Sequence, residues 1–162
     1  MTAESLLITY VQIGVAISGF SGIVVSLGNR GRGEWSYHER QLLYVLLGMS
    51  GGCTLLSALP LILASTGLAE PTVWSASSGC SVVLQLGLMV ARARQVFRDA
   101  ETLARERWLL AEAYAGGVLC VAAQLVNCVW LGVAWPHLAT ITWHLAVSFI
   151  VFVRLVQPGA RP

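Results

Sequence analysis

Leu6-Leu-Ile-Thr-Tyr-Val-Gln-Ile-Gly-Val-Ala-Ile-Ser-Gly-Phe-Ser-Gly-Ile-Val-Val-Ser-Leu27 holds no charged side chain and runs straight into Gly28-Asn-Arg-Gly-Arg-Gly33. A helix crosses the hydrocarbon core of a bilayer with about 20 predominantly apolar residues, so this stretch reads as a membrane span closed by a basic connection. Four more apolar runs follow at 42–66, 73–90, 109–133 and 138–156, which with 6–27 makes five. The chain has no lysine, and its arginines fall at alternate ends of these runs. Arg30, Arg32 and Arg40 follow the first, Arg92, Arg94, Arg98, Arg105 and Arg107 the third, and Arg154 and Arg161 the fifth. The N-terminus, 67–72 and 135–137 carry none. Basic residues are retained on the cytoplasmic side during insertion. The sequence therefore predicts an all-α integral membrane bundle of five helices, N-terminus out and C-terminus in. An even number of spans would destroy the segregation.

The composition agrees. Hydrophobic residues make up 56% of the 162 and charged ones 11%, with a mean hydropathy of +0.71, well outside the range of soluble domains. Five spans use about 100 residues, so the chain reads as one transmembrane domain over 1–162 whose activity lies in the bundle or at its two faces. The net charge of +2 follows from orientation and does not point to nucleic acid. The first run exceeds the apolar core of a secretory signal and lacks a positive lead-in, so it reads as an anchor that stays in place. Small size and the missing lysines lead to the expectation of a bacterial cytoplasmic membrane.

Local signals set the helix ends. Ser36-Tyr-His-Glu39 fits a capping box at the start of the second helix, with Trp35 and Tyr37 as interfacial anchors. Pro60 removes one backbone hydrogen bond and predicts a kink. Glu70-Pro71 and Trp135-Pro136-His137 read as the two short outer turns, the latter forcing the last helices into a hairpin. Neither Gly nor Pro occurs between Gly87 and Gly116, so the third span is expected to extend as a helical stalk. Glu101 and Arg105 are spaced for a surface ion pair, and the chain reverses near Asp99–Thr102. Trp74, Trp108, Trp130 and Trp135 are expected at the interfaces.

Two patterns are candidates for function. Gly14, Ser18, Gly22 and Ser26 recur every four residues on the first span, and Gly48-x-x-x-Gly52 lies on the second. Lipid offers little hydrophobic drive between helices, so small side chains that let backbones approach favour association. The face serves either the first and second helices of one chain or a homo-oligomer. The second pattern is polar. Counted at about 1.5 Å per residue, Gln12, Asn127 and His144 fall roughly 10–12 Å below the outer boundary, with Ser57 and Ser78 within a further turn. Cys120, Gln124, Asn127 and Cys128 share one face of the fourth helix, and His137, Thr140, His144 and Ser148 one face of the fifth. Polar groups are costly against lipid, so these faces should meet. The meeting makes either interhelical glue or an outward-opening pocket or ion route with His144 as its titratable member.

Cofactor chemistry finds little support. His144 has no second deep histidine on another helix, which disfavours an intrachain bis-histidine haem. A copper site of Cys80, Cys128 and His144 suits soft ligands but follows no spacing motif, so neither cofactor nor metal is expected. The four cysteines read as small apolar filler. Glu112 reads as an interfacial carboxylate near Arg92 or Arg107, and the arginines as contacts for anionic lipid head groups. The Gly- and Arg-rich connection lacks the preceding strand of a phosphate loop.

Gly19-Phe-Ser-Gly-Ile-Val-Val25 and Phe152-Val-Arg-Leu155 resemble segments of small uncharacterised bacterial membrane proteins, a resemblance that implies no activity. Gln124-Leu125 with Asn127 and Trp130, in a five-span chain of this length, is similar to the tryptophan-rich sensory protein (translocator protein) family, which implies a pocket for porphyrins or sterol-like molecules. That family has a tryptophan- and proline-rich first connection, whereas this one has Trp35 alone and no proline. The leading expectation is a non-enzymatic, self-associating membrane protein, a transport or channel subunit, with no catalytic residues. The alternative is a bundle that binds an apolar ligand (lipid, sterol-like or porphyrin) under the outer polar layer.

Overall fold

A computed structural model of the chain describes residues 2–27, 37–96 and 100–156, with side chains outside 24–38 and 95–110. The elements are α1 (Ala3–Leu27), α2 (Tyr37–Ser65), α3 (Glu70–Val96), α4 (Ala100–Val126) and α5 (Ala134–Val156), with a π-helical turn (Asn127–Leu131) closing α4. All five helices are long and apolar enough to cross a bilayer, and no strand occurs among the described residues. The architecture is the expected all-α bundle. The capping box at Ser36, the Glu101–Arg105 pair, and Trp35, Tyr37 and Trp108 fall outside the described residues or side chains.

Both outer turns differ from expectation for the same reason. Thr66 and Gly67 make the first, with Gly67 at φ +78, and Glu70 and Pro71 already belong to α3. Pro136 and His137 likewise lie in the first turn of α5. A helix leaves its first amide donors without intrahelical acceptors, so a proline there loses nothing and its fixed φ suits the helix. The second turn is instead made at Gly132, whose amide donates to the Asn127 carbonyl at 3.0 Å. Gly132 adopts φ +58, and a β-carbon there would meet the Pro71 carbonyl at 3.0 Å. Only glycine suits both the left-handed backbone and the approach of α3.

Helix α2 packs on α1, α3 and α5, and α4 closes the bundle against α3 and α5. One apolar cluster, Leu7, Cys53, Leu56, Trp74 and Ile141, lies towards the end of the bundle holding the N-terminus. A second, Leu42, Leu46, Val147, Val151 and Leu155, lies towards the opposite end, where Arg40, Arg92 and Arg154 sit; this is the arginine end. Burial is inverted relative to a water-soluble protein. Among the described residues as many polar side chains are buried as apolar ones, fourteen of each with Pro60 and Pro136 counted, while Val83, Leu119 and Trp130 are 72%, 70% and 77% exposed. Such a surface is stable against lipid, and lipid leaves polar groups only the interior. Trp74 departs from its expected interfacial place: it is buried, its indole N–H donates to Glu70 Oε1 at 3.3 Å, and its ring leans on His137.

Candidate functional site: a buried polar column and an apolar cleft

The polar column begins with a defect in α2. Pro60 has no amide hydrogen, so the Leu56 carbonyl four residues earlier loses its intrahelical donor. His137 supplies the replacement: its Nε2 lies 2.9 Å from the Leu56 carbonyl oxygen. A carbonyl only accepts, so Nε2 carries the hydrogen and Nδ1 of the neutral ring presents a lone pair. His144 is assigned in the same way and takes the other tautomer. Its Nδ1 lies 2.8 Å from the Thr140 carbonyl, which makes Nδ1 the donor and leaves the lone pair on Nε2. Its ring edge packs against Gly52 of α2, where a β-carbon would stand 3.7 Å from His144 Cδ2.

Asn127 uses both ends of its amide. Nδ2 donates to Ser78 Oγ at 2.8 Å and to the Val133 carbonyl at 2.9 Å, and Oδ1 accepts the Val133 amide at 3.0 Å. The side chain therefore closes the turn between α4 and α5 and ties it to α3. Gln124 Nε2 donates to the Pro136 carbonyl at 3.2 Å, and Gln85 Nε2 to the Gly117 carbonyl at 3.1 Å. Ser57 and Ser148 donate to carbonyls of their own helices at 2.7 and 2.8 Å.

Of the residues expected in the polar layer, Ser57, Ser78, Gln124, Asn127 and His144 are all buried inside the bundle. Gln12 is not among them and lies on the exposed face of α1. The matched depth of Asn127 and His144 also fails. Asn127 sits at the chain reversal, whereas His144 is ten residues beyond the start of α5, about 15 Å along the helix. Cys80 is exposed and His144 buried, so the copper ligands do not converge. The glycine and serine face divides. Gly14 packs on the Ser50 and Thr54 backbone, and Ser18 Oγ lies 2.8 Å from Ser50 Oγ, so both serve contact with α2 of the same chain. Gly48 and Gly52 face Leu88 and Leu84 of α3. Gly22 has open space where a β-carbon would stand, and the Ser26 side chain lies outside those described.

Sequence reading misses Ser77, Ser81 and Gln85, all buried on α3. Their spacing of four residues is the available signal. It also misses the cleft at the arginine end, a cavity of about 190 Å³ between α2, α3, α4 and α5. Leu42, Val45, Met49, Leu88, Trp143 and Val147 form its walls, and Arg92, Glu112 and Tyr114 its polar edge. Arg92 Nη1 donates to Gln41 Oε1 at 3.0 Å, and the Tyr114 hydroxyl to the Met89 carbonyl at 3.1 Å. Tyr44 and Ile150, which also line it, are 61% and 45% exposed, so the cleft opens sideways through the apolar surface.

Searches of family models, characterised protein sequences and solved structures give no match to this chain.

Proposed function

We propose that this chain is a non-enzymatic, multi-pass membrane protein that holds part of an anionic amphiphile, such as a lipid, in the cleft at its arginine end. The supporting observation is the layout of the cleft, apolar walls with a lateral opening and a polar edge bearing Arg92 and Tyr114, with the Glu112 carboxylate on the same edge as a group an anionic head must keep clear of. Its volume equals about six water-sized groups of ~30 Å³, enough for a short stretch of one acyl chain. Of the apolar ligands that the sequence offers as its alternative reading, this keeps lipid but moves the site from the outer polar layer to the arginine end. In the same reading the N-terminus faces out and the arginine end lies in a bacterial cytoplasm, where the inner leaflet is anionic.

Magnitudes decide what such a site selects. Lipid tails are as apolar as the cleft walls, so an acyl chain gains little by leaving the bilayer. Head-group charge must supply the preference, at about 1 kcal/mol per arginine near the surface. Native mass spectrometry of the protein released from mixed anionic and zwitterionic micelles measures it. The expected result is retained anionic lipid, with the preference falling about fivefold in Arg92→Gln and occupancy lost in Gly48→Leu, which fills the cleft. Equal retention of both lipid classes by the wild type would refute the reading. The same spectra report subunit number. Self-association, as a transport or channel subunit or otherwise, would draw on the exposed stripe of Gln12, Ala16 and Gly19, because an amide facing lipid is costly until it meets a partner. A strictly monomeric spectrum would remove that second element.

A further inference from the structure

Five buried polar atoms in the bundle have no hydrogen-bond partner among the described residues: Ser77 Oγ, Ser81 Oγ, Gln85 Oε1, Gln124 Oε1 and His137 Nδ1. Their residues are at most 4% exposed, and they come from α3, α4 and α5. Neighbouring hydrogen bonds place their residues along adjoining stretches of α3, α4 and α5, which together make the column. The Gln124 amide binds the carbonyl of Pro136, next in the chain to His137. Ser78, joined to Asn127, is flanked on α3 by Ser77 and, within a turn, by Ser81. One turn further, Gln85 reaches the α4 backbone at Gly117. From Ser77 to Gln85 the column runs about 12 Å, and it starts at His137, the fourth residue of α5.

The orientation of three of these atoms is dictated. Gln85, Gln124 and His137 each direct an N–H at a backbone carbonyl, which can only accept. With the His137 ring neutral, each therefore turns an acceptor lone pair the other way. The two serine hydroxyls can both donate and accept. Native interiors rarely leave such groups unpaired, and buried water is the usual partner where several polar atoms converge.

We infer that the column is a built site for water-sized neutral molecules that both donate and accept hydrogen bonds, and that water fills it in the membrane. The charge inventory selects a neutral guest. No acidic side chain is among the buried residues described, so a cation would lie without a counter-charge in a low-dielectric interior, which costs far more than hydrogen bonds to amides return. An anion would face three outward lone pairs. Water donates to the acceptors of α3, α4 and α5 and accepts from Ser77 and Ser81, adding to the direct bonds that already join these helices. The wet stretch stops at the apolar cluster of Leu46 and Val147, and Trp74 with the cluster of Leu7 and Leu56 covers its other end beside His137, so the site lies enclosed in the bundle.

Solid-state NMR on histidine-labelled protein in liposomes tests this. Magnetisation transfer from water protons to the His137 ring is expected, with the ring neutral and hydrogen on Nε2; a ring silent to water would overturn the inference. Thermal unfolding of Ser81→Ala provides an independent readout, since that hydroxyl has no partner among the described residues. If water bridges it, the substitution lowers the midpoint by roughly 2–4 °C. In a dry interior, deleting an unpaired hydroxyl removes a desolvation penalty, and an unchanged or raised midpoint would overturn the proposal as well. Stabilisation by potassium or ammonium over choline at equal ionic strength would assign a cation instead and count against it.

Discussion

At Gly116 the indole of Trp143 lies where a β-carbon would stand, so the α4 backbone and the α5 ring are in direct contact. The ring also forms part of the cleft wall. Gly116→Ala must therefore push Trp143 into the cleft or separate the helices. Overpacking of this kind costs about 1–3 kcal/mol, and the expected outcome is a lower unfolding midpoint together with a changed Trp143 emission. An unchanged midpoint would show that the ring has room to yield. Gly116 carries no motif, and nothing in its neighbourhood distinguishes it from Gly117. Asn127 illustrates the opposite case. An amide deep in an apolar run announces its need for partners, but a single chain reading cannot say that they are Ser78 and the backbone of Val133.

Among the elements, α2 shows how a local defect is met by a distant group. Pro60 is legible as a break in the hydrogen-bond ladder, and the carbonyl it frees can be named by counting back four residues. The donor that replaces the lost amide stands eighty-one residues away in His137, which reads as part of a turn because of the proline beside it. The pairing makes a double-mutant prediction. His137→Leu strands the Leu56 carbonyl and is expected to cost about 1–3 kcal/mol. In a Pro60→Ala background the restored amide can satisfy that carbonyl, so the same change should cost clearly less. Equal costs in the two backgrounds, measured by reversible unfolding in micelles, would mean that the His137 bond does not compensate for the proline. The π turn at Asn127–Leu131 is not legible at all, because it is set by Gly132 fitting beneath Pro71 of α3 rather than by any local propensity.

For the whole molecule, the decisive quantity is the distribution of arginine. Every described arginine lies at one end of the bundle, which is what retention on the cytoplasmic side requires. A reporter fused after Arg154 is expected to be fluorescent as a cytoplasmic protein and inactive as a periplasmic phosphatase. Moving the sidedness should need charge alone: several arginines inserted at Gly67, with Arg30, Arg32 and Arg40 neutralised, are expected to produce mixed orientations. A phosphatase active on the wild-type C-terminus would reject this topology and the leaflet assigned to the cleft. The distribution of burial also belongs to this scale, since Leu119 and Trp130 lie outermost and Gln124 and His137 inside, an arrangement suited to an apolar solvent.

Helix number, the approximate ends of each helix and the grouping of arginines at one end are properties of short segments, and the sequence alone determined them. Crossing a bilayer depends on length and apolarity, which are counted along the chain. The polar partners, the tautomers of His137 and His144, the separation of Gln12 from the buried layer and the existence of the cleft were decided by tertiary structure. Each depends on which faces of antiparallel helices meet. That choice is made by close packing at positions such as Gly14, Gly116 and Gly132, where a missing side chain leaves no periodic signal.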